Sequence, residues 1–154
     1  MYDFTARGYN ELHQEEQLKK LKTIKKHFQP QGLMLDLGAG TGISTFYSNS
    51  IALDKSFEMI RQFKGGKVVG DAINLPFKDN TFDSLICLTA FHNFSDFNKA
   101  IKEIKRVLKN HSSICITILK KSTNFTLIKK LLLSNLNLKE YDEEKDLILI
   151  GVTK

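Results

Sequence analysis

The stretch "LMLDLGAGTGIST", Leu33 to Thr45, joins an apolar run to glycines at three alternating positions. Leu33 to Leu37 reads as a buried strand, interrupted only by Asp36. Gly38, Gly40 and Gly42 then remove side chains where the backbone turns sharply or lets another group come close. Ile43 to Tyr47 can open a helix, whose free N–H groups would face that turn. A strand–turn–helix corner of this kind is a place to hold a ligand.

The rest of the chain repeats the alternation. Leu18, Leu21, Ile24 and Phe28 share one side of a helix that "QPQG" ends. Further strands are expected at 51–54, 67–70, 82–89 and 113–119. Helices are expected at 56–63, with Ser56 as cap, over the segment opened by Ser95 or Asp96, and at 122–135. "LNLKEYDEE" and "DLILIGVTK" read as a closing antiparallel pair. Repeated strand–helix units imply a mostly parallel sheet covered on both faces, in one α/β domain spanning 1–154.

The chain has 154 residues, of which 42% are hydrophobic, ample for one core. No apolar run approaches the ~20 residues of a membrane helix. "MYDFTARGYNELHQEEQ" is polar and acidic, so no membrane and a cytoplasmic location are expected. Cys87 and Cys115 each sit inside an apolar run, as small buried hydrophobes do. His13, His27, His92 and His111 show no ligand spacing, and no metal is expected. The net charge of +6 concentrates in "KKLKTIKK", in "KAIKEIKRVLK" and around 120–121 and 129–130. Solvated helix faces and a surface attractive to RNA both fit that pattern.

In open α/β sheets ligands sit beyond the carboxyl ends of the strands, where the strand order reverses. The polar residues at those ends are Asp36, Asp54, Asp71 and the run Thr89 to Asn93. A dinucleotide turn would need glycine at 43, where Ile43 stands, and a phosphate loop would need Lys after Gly42. An ionised carboxylate at the end of strand two can accept both hydroxyls of a ribose. Three acids on successive strand ends suit a nucleoside that carries cationic groups and no phosphate. S-adenosylmethionine has that chemistry.

With "LDLGAGTG", "ALDKSFEMI" and "VVGDAINLPFKDNTFDSLICLTAFHNF" in order, the chain resembles the class I S-adenosylmethionine-dependent methyltransferases of type 11, the UbiE-like group. The resemblance runs from about residue 30 onward and departs at Asn110 and His111, where a Pro-Gly turn is usual. It implies a Rossmann-like, mostly parallel seven-stranded sheet with an antiparallel C-terminal strand and helices on both faces. Residues 1–30 would form a helical segment over the cofactor cleft, and 31–154 the core. Asp36, Gly38, Gly40 and Gly42 would line the methionine part, and Asp54, with Lys55 beside it, would meet the ribose. Asp71 and Ala72 would meet the adenine, Leu88 and Thr89 would close the pocket, and Tyr9 would come over the cofactor.

The resemblance implies in-line methyl transfer to an N, O, S or C atom, giving S-adenosylhomocysteine. His92, just past strand four, is the candidate general base, and His13 a remoter one. The short connection "LKKSTNF" leaves no room for the covering insertion common in relatives. An open, basic cleft therefore favours RNA or protein as acceptor over a small molecule, and a non-catalytic binding subunit is the other alternative. Some relatives pair the edge of strand three with a small activator protein. Here "KVVG" at 67–70 carries only Lys67 as protection against such pairing.

Overall fold

The computed structural model describes residues 15, 16, 18–38, 49–61, 63 and 65–153. The sheet has seven strands in the order β3-β2-β1-β4-β5-β7-β6. These are β1 (Met34–Leu37), β2 (Ser50–Asp54), β3 (Gly66–Val69), β4 (Phe82–Leu88), β5 (Leu108–Leu119), β6 (Leu138–Asp142) and β7 (Asp146–Val152). Strands β1 to β5 pair in parallel, and β7 lies antiparallel to both β5 and β6. The expected Rossmann-like architecture is therefore present, with the closing antiparallel pair where the sequence places it.

Both faces are covered, as the alternation of side chains along each strand requires. Helix α1 (18–27) lays Leu21, Ile24 and Phe28, just past its end, on Met34, Ile86, Cys115, Ile148 and Ile150. Helix α2 (Phe57–Ile60) covers Ala52 with Ile60. Helices α3 (Phe97–Val107) and α4 (Phe125–Asn135) bury Ala100, Ile101, Ile104, Ile128 and Leu132 on the opposite face, against Leu35, Leu85, Ile114 and Ile116. Asp96 caps α3 by accepting from Lys99 N, whereas Ser56 makes no side-chain cap bond to α2. No described helix is long and apolar enough to cross a membrane.

Three expectations need correction. Leu18, placed by periodicity on the apolar side of α1, is 65% exposed. Lys20, placed among the surface lysines, is 3% exposed. Its ammonium lies 3.3 Å from Asp146 Oδ2 and donates to Thr89 Oγ1 at 2.8 Å. A second stripe explains this: Glu16, just before α1, and Lys20, Thr23 and His27 on it, three or four residues apart, meet Lys145, Asp146, Glu143 and Tyr141 of the β6–β7 hairpin. The helix thus presents an apolar stripe to the sheet and a polar one to the hairpin.

The third correction concerns the start of β5, which follows α3 without a separate loop. Pairing with β4 jumps from Phe82↔Leu108 to Ser84↔Ser113, so 109–112 bulge out between the two registers. Ser112 Oγ closes the bulge on Phe82 O and Lys109 O. His111 sits in it at φ +62°, the left-handed backbone a glycine adopts freely. The resemblance's Pro-Gly turn has become a strained bulge. His111→Gly should raise stability by about 0.5–1 kcal/mol, relief of left-handed strain outweighing the extra chain entropy of glycine. The urea midpoint measures it, and a lower midpoint would contradict the strain.

Candidate functional site

The strand order reverses between β1 and β4, and a cleft opens beyond their carboxyl ends. Its lining comes from four strand ends: Gly38 after β1; Leu53, Asp54 and Lys55 at β2; Gly70, Asp71 and Ala72 at β3; and Ala90, Asn93, Phe94 and Ser95 after β4. The expected Gly38, Asp54, Lys55, Asp71 and Ala72 therefore meet in one place. Tyr9, His13, Gly40 and Gly42 lie outside the described residues.

Each wall has a local cause. Gly38 leaves β1 at φ +71°, its N–H donating to Leu53 O at 2.7 Å, and a Cβ built on it would stand 2.6 Å from Ala90 Cβ. Any side chain at 38 would close the gap between the β1 and β4 walls. Asp54 Oδ1 accepts from Ser56 N at 2.9 Å, which steadies the carboxylate at the end of β2. Asp71 Oδ1 accepts from Ile73 N in a tight turn, and Lys55 reaches Asp71 Oδ2 at 3.5 Å.

The loop after Asp71 is held from below by α3. Glu103 accepts from Leu75 N, while Arg106 donates to Leu75 O, Phe77 O, Asp79 and Glu103. The Arg106 hydrogen bond holds the Glu103 carboxyl below its ordinary range. On the other side, a one-turn 3-10 segment (Phe91–Asn93) buries Phe91 in the core and turns Asn93 and Phe94 onto the cleft.

The remaining expected residues stand behind or beside this lining. Asp36, 2% exposed, lies inside the end of β1, where burial and then the charge of Asp54 push its carboxyl up to about 7. Leu88 packs against the α1 cluster and Thr89 bonds to Lys20 and Thr117, so neither lines the cleft. His92 is half-buried on the 3-10 segment, its Nδ1 without a hydrogen-bond partner among the described residues. It too stands off the lining. From the expected run Thr89 to Asn93, Ala90 and Asn93 reach the wall, while Phe94 and Ser95 on the wall and the Glu103–Arg106 brace behind it were missed. The brace had a signal in its i, i+3 opposite charges, which a reading of solvated helix faces passes over.

Residues 35–116, just over half of the chain, match the type-11 methyltransferase-domain family. The chain belongs to that family. It is the family of class I S-adenosylmethionine-dependent methyltransferases, and S-adenosylmethionine is its cofactor. The chain is 32% identical over 123 residues to a demethylmenaquinone methyltransferase of Corynebacterium glutamicum, covering 71% of this chain and 54% of that one. To the uncharacterized methyltransferase YcgJ of Bacillus subtilis it is 40% identical over 91 residues, 49% of this chain and 36% of that one. The chain spans about half the length of the curated relatives it matches.

Among solved structures, a SAM-dependent methyltransferase of Thermotoga maritima superposes with a TM-score of 0.77 at 19% identity, covering 99% of this chain and 96% of that one. A chain from the complex between the Haloferax volcanii Trm112 methyltransferase activator and a methyltransferase gives 0.73 at 16%, covering 98% and 96%. At those identities the likeness is one of fold.

The cleft suits the cofactor on its own evidence. Its described lining holds two carboxylates, and its one lysine is already paired with Asp71, which fits a cationic nucleoside better than a phosphate.

Asp36 also makes a pH prediction. Its folded pKa lies above the usual 3.8, so the folded chain keeps a proton that the unfolded chain releases. That contribution to stability is present below pH 3.8 and is lost as pH rises through about 7. Asp36→Asn should flatten this part of a melting-temperature profile between pH 5 and 8. An unchanged slope would show that Asp36 does not titrate there.

Proposed function

We propose that the chain transfers the methyl group of S-adenosylmethionine to a small-molecule acceptor. The observation that carries the reading is the cleft at the β1/β4 reversal, where Gly38, Asp54, Asp71 and Ala72 converge. Asp54 would take the ribose hydroxyls, Asp71 and Ala72 the adenine side, and Gly38 with Gly40 and Gly42 the methionine end. Asp36 would stand behind that end as a counter-charge for the ammonium. When bound, the cofactor supplies a sulfonium methyl that is already electrophilic. The chain's task is then to fix the reacting geometry and exclude water, and good alignment in general is worth ~7–11 kcal/mol.

The choice of a small acceptor reverses the lean drawn from the lysines and the short connection. The connection between β5 and α4 is indeed short. Part of that basic charge, however, is engaged within the fold: Lys20 is buried against Asp146, and Lys109, Lys120 and Lys129 face Asp83, Asp142 and Glu140. The demethylmenaquinone relatives support the same choice. For an acceptor that must lose a proton, His92 is the candidate base, one residue from Asn93 of the cleft wall.

Asp54→Ala should weaken cofactor binding by roughly 1.5–3 kcal/mol through lost charge-assisted hydrogen bonds, read by calorimetry. With labelled S-adenosylmethionine and fractions from the source cell, label should appear in small molecules. His92→Gln should slow that transfer without changing cofactor affinity. Label confined to RNA or protein would contradict the small acceptor, and binding without any transfer would favour an inert subunit.

A second reading adds a partner at β3, which ends the sheet. Gly70 N–H donates to Asp54 O of β2, so by alternation the Val69 N–H faces outward. Val69 is 51% exposed, and Phe57 and Met59 on α2 are exposed as well. Lys67, the expected guard of this edge, turns its ammonium back onto the carbonyls of Arg61 and Phe63. The Haloferax volcanii neighbour is in complex with the Trm112 activator, and in this second reading an activator protein of that kind adds a strand at the β3 edge of this chain. Val69→Pro removes the outward donor and leaves the bonds to β2 intact. The wild-type chain should co-elute with a co-expressed activator of this kind and the variant should not. A wild-type chain that elutes alone would contradict the partner.

A further inference from the structure

We propose that Lys20 is a positioning residue for the cofactor cleft: from behind the sheet rim it holds Thr89 in the left-handed turn from which the Ala90–Ser95 wall begins. The proposal rests on the reading that the cleft receives S-adenosylmethionine. Thr89 leaves β4 at φ +52°, a region that a β-branched side chain resists. Such a conformation persists only where its surroundings impose it. Here they do so from two sides. The Thr89 N–H donates to Thr117 Oγ1 at 2.8 Å, and the two threonine hydroxyls stand 3.1 Å apart. Lys20 Nζ closes the other side, 2.8 Å from Thr89 Oγ1. An ammonium can only donate, so Thr89 Oγ1 accepts from Lys20, and either threonine hydroxyl can supply the hydrogen shared between the two.

The lysine is itself fixed. It is 3% exposed and lies 3.3 Å from Asp146 Oδ2, at the start of β7. A surface lysine would give Thr89 no such constraint, because its solvated head would exchange partners freely. The residue after Thr89 shows what is at stake. Ala90 lies so near Gly38 that a Cβ there would be 2.6 Å from its own, and Ala90, Asn93, Phe94 and Ser95 are the β4 wall of the cleft. If Thr89 relaxed out of the left-handed region, the direction of that wall would change. Helix α1 therefore does more than cover the sheet: through Lys20 it sets one side of the cleft.

The test is calorimetry with S-adenosylhomocysteine on the full chain. Lys20→Met with Asp146→Leu removes both charges together, so no uncompensated buried ion remains. That variant should melt near the wild type yet bind about tenfold more weakly, the order expected for releasing one strained residue. Adding Thr89→Gly, which adopts the turn without being held, should recover most of the lost affinity. In the otherwise wild-type chain, Thr89→Val should weaken binding more than Thr89→Gly, and this comparison serves if the double variant does not fold. Unchanged affinity in the double variant, failure of glycine to rescue it, or equal effects of valine and glycine would overturn the proposal. A wild-type chain that binds no S-adenosylhomocysteine would instead overturn the reading of the cleft.

Discussion

Strand β1 is paired on both edges and buried along its whole length, so its carboxyl end can open only onto the crevice between β2 and β4. The rest of the molecule is arranged around that constraint. The chain runs outward to β3 on one side and then returns to lay β4, β5, β7 and β6 on the other. Backbone polar groups near the end of β1 are used by neighbours, as the Gly38 N–H is by Leu53 O. The side chains at the strand ends are what remain for recognition. That is why Asp54, Asp71 and Ala90, far apart in sequence, become walls of one space.

The electrostatics follow from the same crowding. Asp36 is kept out of water by β1's burial and feels the charge of Asp54, so its carboxyl sits near 7 rather than 3.8. A cation on the cofactor side would favour the ionised form of both acids, whereas a phosphate would oppose it. Basic groups near the site are turned to other work. Lys55 pairs with Asp71, Arg106 braces the 75–79 loop, and Lys20 is locked between Asp146 and Thr89. The net positive charge of the chain is thus a poor guide to the polarity of its cleft.

Much of this was legible in the sequence, for reasons that differ by element. The strands are short apolar runs broken by glycine or charge, and periodicity finds such runs. Asp54 and Asp71 are visible because an acid at the end of an apolar run is conspicuous. Lys20 was misread because its partners lie at Thr89 and Asp146, and no local pattern distinguishes a lysine that is buried against distant residues. Leu18 was misread for the converse reason, since a helical stripe can extend one turn beyond the surface it covers. The bulge at 109–112 hid behind the missing Pro-Gly, and left-handed Thr89 and His111 are backbone states that their side chains do not advertise.

The central claim is that the strand-end cleft at the β1/β4 reversal holds S-adenosylmethionine. Ultraviolet cross-linking of the labelled cofactor to the full chain, followed by peptide mapping, tests it most directly. The account predicts label on peptides carrying Asp54 to Ala72 or Ala90 to Ser95, displaced by unlabelled S-adenosylhomocysteine. Displaceable label confined to the groove between α1 and β6, around His27, Lys139 and Tyr141, would contradict it.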